Sequence, residues 1–341
     1  MLYNNMELHN VAGFSNDFEG NLCLARLPDD VRLQMEIKDI SLQCSGVEIR
    51  FKLLDDEVKL ILHSYHPNTF PILVFHGCFK DIETPIIVPG RNEIIIKKPS
   101  NIERLLQVAS EGNYSYDTEM VRVLLMGFNF APPEIEGKIE SPHLLKRPSK
   151  TYLAYGSSIT SGSTAVMSDL TYPARTGFLL GAENLNLGFS GSAKLERPVA
   201  DYIASLKGID YISMELGVNM IWDMEKNDWG DVEEFSKRVE YFIPTIAEAH
   251  KDIPIVCTDI FLNSNDHFRD KPLFDFRDAV REVAIEFERK NKNFVFADGK
   301  DLLNVYDGLT TDLLHPSALG MLEISDNLSR IFKRISANKL C

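Results

Sequence analysis

Over roughly the first 130 residues, apolar and polar side chains alternate with a period of two. Val31, Leu33, Met35 and Ile37 interleave with Arg32, Gln34, Glu36 and Lys38, and Val47, Ile49, Phe51 and Leu53 interleave with Glu48, Arg50 and Lys52. Each run predicts a strand with one face buried. Further strands are expected over 58–63, 72–76, 93–96 and 121–130. Short strands separated by Pro, Gly and Asn turns, with almost no helical periodicity between them, predict an antiparallel β-sandwich.

The pattern changes across Ala131-Pro132-Pro133 and again from Glu140 to Pro148, where prolines and charges interrupt any period. A domain boundary is expected there, with a sandwich over 1–145 and a second domain over 146–341. Beyond the boundary, apolar strands are expected at 152–155, 185–187, 211–216, 253–259 and 294–298. Helices separate the last three. Val232, Phe235, Val239, Phe242, Ile243 and Ile246 fall at helical spacing, as do Phe276, Val280, Val283, Ala284 and Phe287. Strand and helix in alternation predict an α/β domain whose parallel sheet is covered on both faces.

Composition narrows the function classes. With 44% apolar and 25% charged residues over 341 positions, the chain has the makeup of a folded globular protein. Its 36 Lys and Arg against 50 Asp and Glu give a net charge of -14, a field that repels nucleic acid and anionic membranes and suits a neutral substrate. Cys23, Cys44, Cys78, Cys257 and Cys341 are scattered without metal-ligand spacing and read as reduced thiols. The opening residues carry neither a basic leader nor an apolar signal segment, and no long apolar run follows, so a cytoplasmic location without membrane association is expected. Oligomeric state is not legible.

In an open parallel sheet ligands bind beyond the carboxyl ends of the strands. Four segments at such positions carry candidate chemistry. Tyr155-Gly156-Ser157-Ser158-Ile159-Thr160-Ser161-Gly162 places serines on a glycine-bearing turn, a setting for an exposed nucleophile or for ordinary helix capping. Asn186-Leu187-Gly188-Phe189-Ser190-Gly191 is either a tight turn or a source of an oxyanion-binding amide. Asn219, in Gly217-Val218-Asn219-Met220, serves equally as a helix cap or as a side-chain donor to an oxyanion. Finally, Asp312 stands three residues before His315, close enough to hold the imidazole with Nε2 free to take a proton. Chance supplies about one such acid–histidine spacing in a chain of this makeup. Two occur, and Glu140 with His143, in the interdomain segment, is taken as the accidental one.

In their order, the four segments resemble the blocks of the SGNH/GDSL hydrolases, centred on Ser, Gly, Asn and His. The likeness runs from about Thr151 to Leu328 and is fullest to the branch with Tyr-Gly-Ser-Ser-Ile-Thr and Asn-Leu-Gly-Phe-Ser-Gly blocks. The resemblance implies a three-layer α/β/α, flavodoxin-like catalytic domain after a jelly-roll-like sandwich, as in some carbohydrate esterases. It assigns Ser158 as nucleophile, His315 as general base, Asp312 as its orienting acid, and Ser158, Gly191 and Asn219 as oxyanion donors, with no metal or cofactor. The sequence departs from the pattern twice: the usual Gly-Asp-Ser is Gly156-Ser157-Ser158, and the usual Gly-x-Asn-Asp ends in Met220.

The expected activity is hydrolysis of short acyl esters, acetyl esters of a small molecule or oligosaccharide above all. Alternatives are a lysophospholipase or acyl-thioesterase, and an inactive binding module. Tyr172, Trp222 and Trp229 are candidate substrate contacts, since an aromatic face can stack on a sugar ring.

Overall fold

Backbone packing divides the chain into two units, seen in a computed structural model that describes residues 1–337. The first comprises Met1–Asp29, Ser41–Ser149 and Met167–Asp169; the second comprises Asp30–Ile40, Lys150–Val166 and the residues from Leu170 onward.

The first unit is built from antiparallel strands. Its main ones are β1 (Met6–His9), β2 (Glu48–Leu53), β3 (Glu57–Ser64), β4 (Leu73–His76), β5 (Gly90–Lys97), β6 (Met120–Leu124) and β7 (Glu134–Glu136). One sheet runs β1-β2-β6-β4 and the other β5-β3-β7. Alternation does the sorting: Leu8, Ile49, Phe51, Val121 and Val123 from one sheet meet Val58, Leu60, Leu62, Ile94 and Ile96 from the other in a single core. The last of the strands predicted for this half, over 121–130, stops early, because between Leu125 and Phe130 the ladder is reduced to isolated bridges of Gln43 with Asn129 and Ser64 with Phe130. A helix, α1 (Ile102–Glu111), stands where no helical period was expected. Ile102, Leu105, Leu106 and Ala109 do lie at helical spacing, yet none is fully buried.

The alternation over 31–38 does not make a strand. Asp29–Arg32 is a helical turn, and burial falls on Val31, Arg32 and Met35, while Leu33 and Ile37 are exposed. Val31 lies in that turn, and Met35 follows it, its amide donating to the Arg32 carbonyl at 3.1 Å. Arg32 pairs with Asp39 at 3.1 Å, closing the segment on itself.

The second unit holds five parallel strands: β8 (Lys150–Gly156), β9 (Ala182–Gly188), β10 (Tyr211–Glu215), β11 (Ile255–Thr258) and β12 (Phe294–Ala297). Their order is β9-β8-β10-β11-β12, so the winding reverses beside β8. Between and after them run α2 (Ser158–Ser161), α3 (Tyr172–Leu180), α4 (Arg197–Ser205), α5 (Val232–Ala249), α6 (Lys271–Lys290) and α7 (Ala318–Ala337). Asp231 starts α5 by accepting the amides of Glu233 and Glu234. Helices α3 and α7 pack together on one face, and α4, α5 and α6 pack in a row on the other. Strand β8 is buried on both sides. Tyr152 and Ala154 meet Tyr172, Leu328 and Phe332, whereas the Tyr155 ring lies 4.6 Å from that of Phe242. That sandwiching explains why β8 reads as an unbroken apolar run.

Among the described residues Cys23, Cys44, Cys78 and Cys257 form no disulfide, and Cys341 lies outside the described residues. Among the described residues no helix is long and apolar enough to cross a membrane.

Phe242 is fully buried between β8 and α5, so Phe242→Ala should lower unfolding free energy by about 3–5 kcal/mol, measured by denaturant titration.

Candidate active site

The carboxyl ends of β8, β9 and β10 converge where the winding reverses, and three of the four sequence blocks leave the sheet there. Immediately after β8 the chain turns into the single-turn helix α2, which lies almost against the strand ends. A Cβ on Gly188 would fall 2.2 Å from the Ser161 backbone nitrogen, and one on Gly156 only 2.1 Å from Thr160 Oγ1. Asn186 clasps the same turn: its Nδ2 donates to the Thr160 carbonyl at 2.8 Å, and its Oδ1 accepts the Gly188 amide at 2.8 Å.

Ser158, the first residue of α2, points its hydroxyl at His315, with Oγ and Nε2 2.7 Å apart. On the far side of the ring, Nδ1 lies 2.7 Å from Asp312 Oδ2. A carboxylate there requires the proton on Nδ1, which leaves Nε2 to accept from the serine. The other carboxylate oxygen of Asp312 accepts the Thr310 hydroxyl at 2.7 Å and the amides of Leu314 and His315 at 3.0 Å. Partial burial pushes this carboxyl up, but the His315 amide, the Thr310 hydroxyl, the Leu314 amide and the imidazole outweigh it and hold it well below the usual range.

The histidine loop is braced from β11. Arg277, buried on α6, donates to the Ile260 and Phe261 carbonyls at 2.8 Å and 3.1 Å and pairs with Asp266 at 2.9 Å. In the loop so held, the Ser264 amide donates to the Leu313 carbonyl at 2.8 Å, between Asp312 and His315.

Gly191 and Asn219 come from the turns after β9 and β10. Gly191 has φ +69°, with open space where a Cβ would be. Its neighbour Ser190 shares a 2.6 Å hydrogen bond with Ser161, whose hydroxyl in turn donates to the Ser158 carbonyl at 3.0 Å. The Asn219 amide oxygen accepts the Ala193 N–H at 3.0 Å, which fixes the side chain's orientation.

The aromatic expectations divide. Tyr172 is not a stacking surface: it is fully buried, and its hydroxyl lies 2.6 Å from Thr160 Oγ1. Trp222 and Trp229 face each other across a two-stranded hairpin beginning three residues after Asn219, ring centroids 5.7 Å apart, with Trp222 exposed. His143, the other histidine with an acid three residues before it, sits exposed in the first unit.

Sequence reasoning passed over Glu215. This residue ends β10 fully buried, and its Oε2 accepts the Ser157 amide at 2.7 Å, the Ser157 hydroxyl at 2.8 Å and the Thr160 hydroxyl at 3.0 Å. Burial pushes its carboxyl up despite the hydrogen bonds from Ser157 and Thr160 and the attraction of His315. A lone acid closing the apolar run Tyr211 to Met214 was the available signal. Arg277, on the apolar face of α6, carried the same kind of signal.

A doubly wound sheet presenting a serine and a histidine at its carboxyl rim defines the class: this is a serine ester hydrolase. The chain belongs to the GDSL-like lipase/acylhydrolase family, whose profile matches residues 149–333, more than half of its length. Among solved structures it is similar to the salicylyl-acyltransferase of a tetracycline biosynthetic pathway, with 18% identity, TM-score 0.75, and 98% of this chain and 95% of that one covered. It is also similar to a GDSL-like lipase candidate from Bacteroides ovatus, with 19% identity, TM-score 0.70, and coverage of 98% and 96%. A third is a family two carbohydrate esterase from Clostridium thermocellum in complex with cellohexaose, with 15% identity, TM-score 0.60, and coverage of 98% and 99%. At these identities the likeness establishes the fold. No curated protein matches the sequence.

Asp312 carries a pH signature. Its folded carboxyl is depressed, so its contribution to stability is fully present above the unfolded value of about 3.9 and is lost as pH falls through that value and below it. Parallel unfolding curves should therefore show the difference between wild type and Asp312→Asn shrinking as pH falls below about 5.

Proposed function

We propose that the protein hydrolyses short acyl esters, acetyl esters of a carbohydrate above all, by a Ser-His-Asp mechanism. The observation that carries this reading is the unbroken relay from Ser158 Oγ through His315 to Asp312, 2.7 Å at each step.

In the proposed chemistry, His315 Nε2 takes the Ser158 proton as Oγ attacks the ester carbonyl. Charge then collects on the carbonyl oxygen, where the Ser158 and Gly191 amides and the Asn219 side chain supply donors. Asp312 holds the Nδ1 proton and stabilises the imidazolium, which protonates the departing alcohol. Water enters by the same route in reverse and releases the acid.

Three features support a neutral, sugar-like substrate: the net charge of -14, the exposed Trp222 beside its hairpin partner Trp229, and the carbohydrate esterase among the structural neighbours. A second reading, transfer of the acyl group to an alcohol instead of water, draws on the acyltransferase neighbour that spans nearly the whole chain. The chemistry is shared up to the acyl-enzyme, and the two readings differ only in the acceptor.

Hydrolysis of p-nitrophenyl acetate should fall by at least about 10³-fold in Ser158→Ala, and equal rates in variant and wild type would overturn the assignment. Asn219→Ala should lower kcat by about 10²–10³ with KM little changed. Rates that fall steeply from acetyl to octanoyl esters support the sugar deacetylase, whereas the opposite trend supports a lipase or thioesterase. Ester product accumulating when a sugar alcohol is added to the assay would favour transfer.

A further inference from the structure

Beneath the nucleophile turn, Glu215 directs one carboxylate oxygen at three donors, while its other oxygen, equally buried, has no partner among the described residues. The contact is sealed from above, since a Cβ on Gly156 would lie 2.4 Å from Oε2. A glutamine would offer the same accepting oxygen in the same shape without burying a charge, which is costly when no cation answers it. The donors here are an amide and two hydroxyls. Tyr172 extends the set outward through its hydroxyl to Thr160, and the Tyr155 and Tyr172 phenols are the other titratable groups facing the carboxylate besides His315.

We propose that Glu215 is a positioning residue for ester hydrolysis: its carboxylate locks Ser157, and through it the Ser158 turn, and its negative charge supports the imidazolium that His315 becomes when it takes the serine proton. This rests on the assignment of Ser158 and His315 given above. The departure from Gly-Asp-Ser then has a physical counterpart, because the acid that the usual motif carries on the turn is supplied here from the end of the neighbouring strand, with the Ser157 hydroxyl reaching it at 2.8 Å.

The test is Glu215→Gln in the full chain, with p-nitrophenyl acetate as substrate and Ser158→Ala alongside. The expected result is a kcat about tenfold or more lower at unchanged KM, together with an acid limb of the kcat/KM profile displaced to lower pH, because an imidazolium deprived of a nearby negative charge loses its proton more easily. A wild-type kcat with an unshifted profile would overturn the proposal and leave Glu215 a filler. Should Glu215→Gln fail to fold, Thr160→Val removes one of the three donors at constant volume. It should lower kcat at unchanged KM by loosening the Ser157 turn, and a wild-type kcat in that variant would equally overturn the proposal. Activity surviving in Ser158→Ala would instead locate the failure in the assignment of the nucleophile, before Glu215 is reached.

Discussion

The short helix α2 rests so closely on the ends of β8 and β9 that no side chain fits between them, and the geometry of the active site follows from that contact. Gly156 and Gly188 are the two places where the approach is tightest, with backbone and hydroxyl atoms where a Cβ would stand. Because the turn is pressed onto the sheet, its polar groups face inward. The Thr160 carbonyl must find Asn186, and the Ser157 amide and hydroxyl must find Glu215. What is left facing outward is Ser158. The accessible serine is thus a result of packing everything around it, on a turn held by a rigid scaffold.

Two acids attend this serine in opposite surroundings. Asp312 is half exposed and accepts four hydrogen bonds, which hold it ionised to low pH. Glu215 is sealed in the core with three donors on one oxygen, and burial pushes it the other way. Asp312 contacts the imidazole directly, and Glu215 reaches the nucleophile turn through Ser157. A pair of carboxyls whose environments drive them apart is a common arrangement where protons are handled.

Much of this was legible in the chain. Period-two alternation placed β2, β3 and β5, and the apolar runs of the second half placed all five parallel strands, because a strand buried on both faces leaves little room for polar residues. The serine, glycine and asparagine blocks stood out because each follows a strand, and the histidine block because it precedes the last helix. What escaped was set by tertiary contact. The segment around Val31 alternates like a strand but folds as a helical turn, its burial decided by Val31 and Met35. Tyr172 offered an aromatic face in the sequence that the core of α3 takes up entirely. Glu215 and Arg277 could be noticed as charges in apolar surroundings, but their partners, Ser157 and the carbonyls of Ile260 and Phe261, lie far off in sequence.

The unit that carries the chemistry is not one continuous stretch of polypeptide. Residues 30–40 belong to it, although more than a hundred residues of sandwich separate them from β8. Glu36 there pairs with Lys194 at 2.8 Å and with Arg238 at 2.9 Å, and its amide donates to Glu196 at 3.0 Å. Lys194 follows Ala193, whose amide orients Asn219. A gene fusion or excision that treated the hydrolase as a cassette beginning near residue 146 would leave this piece behind with the sandwich. The two units are therefore interleaved along the chain: residues 30–40 interrupt the sandwich between Asp29 and Ser41, and neither unit can be cut out as one continuous segment.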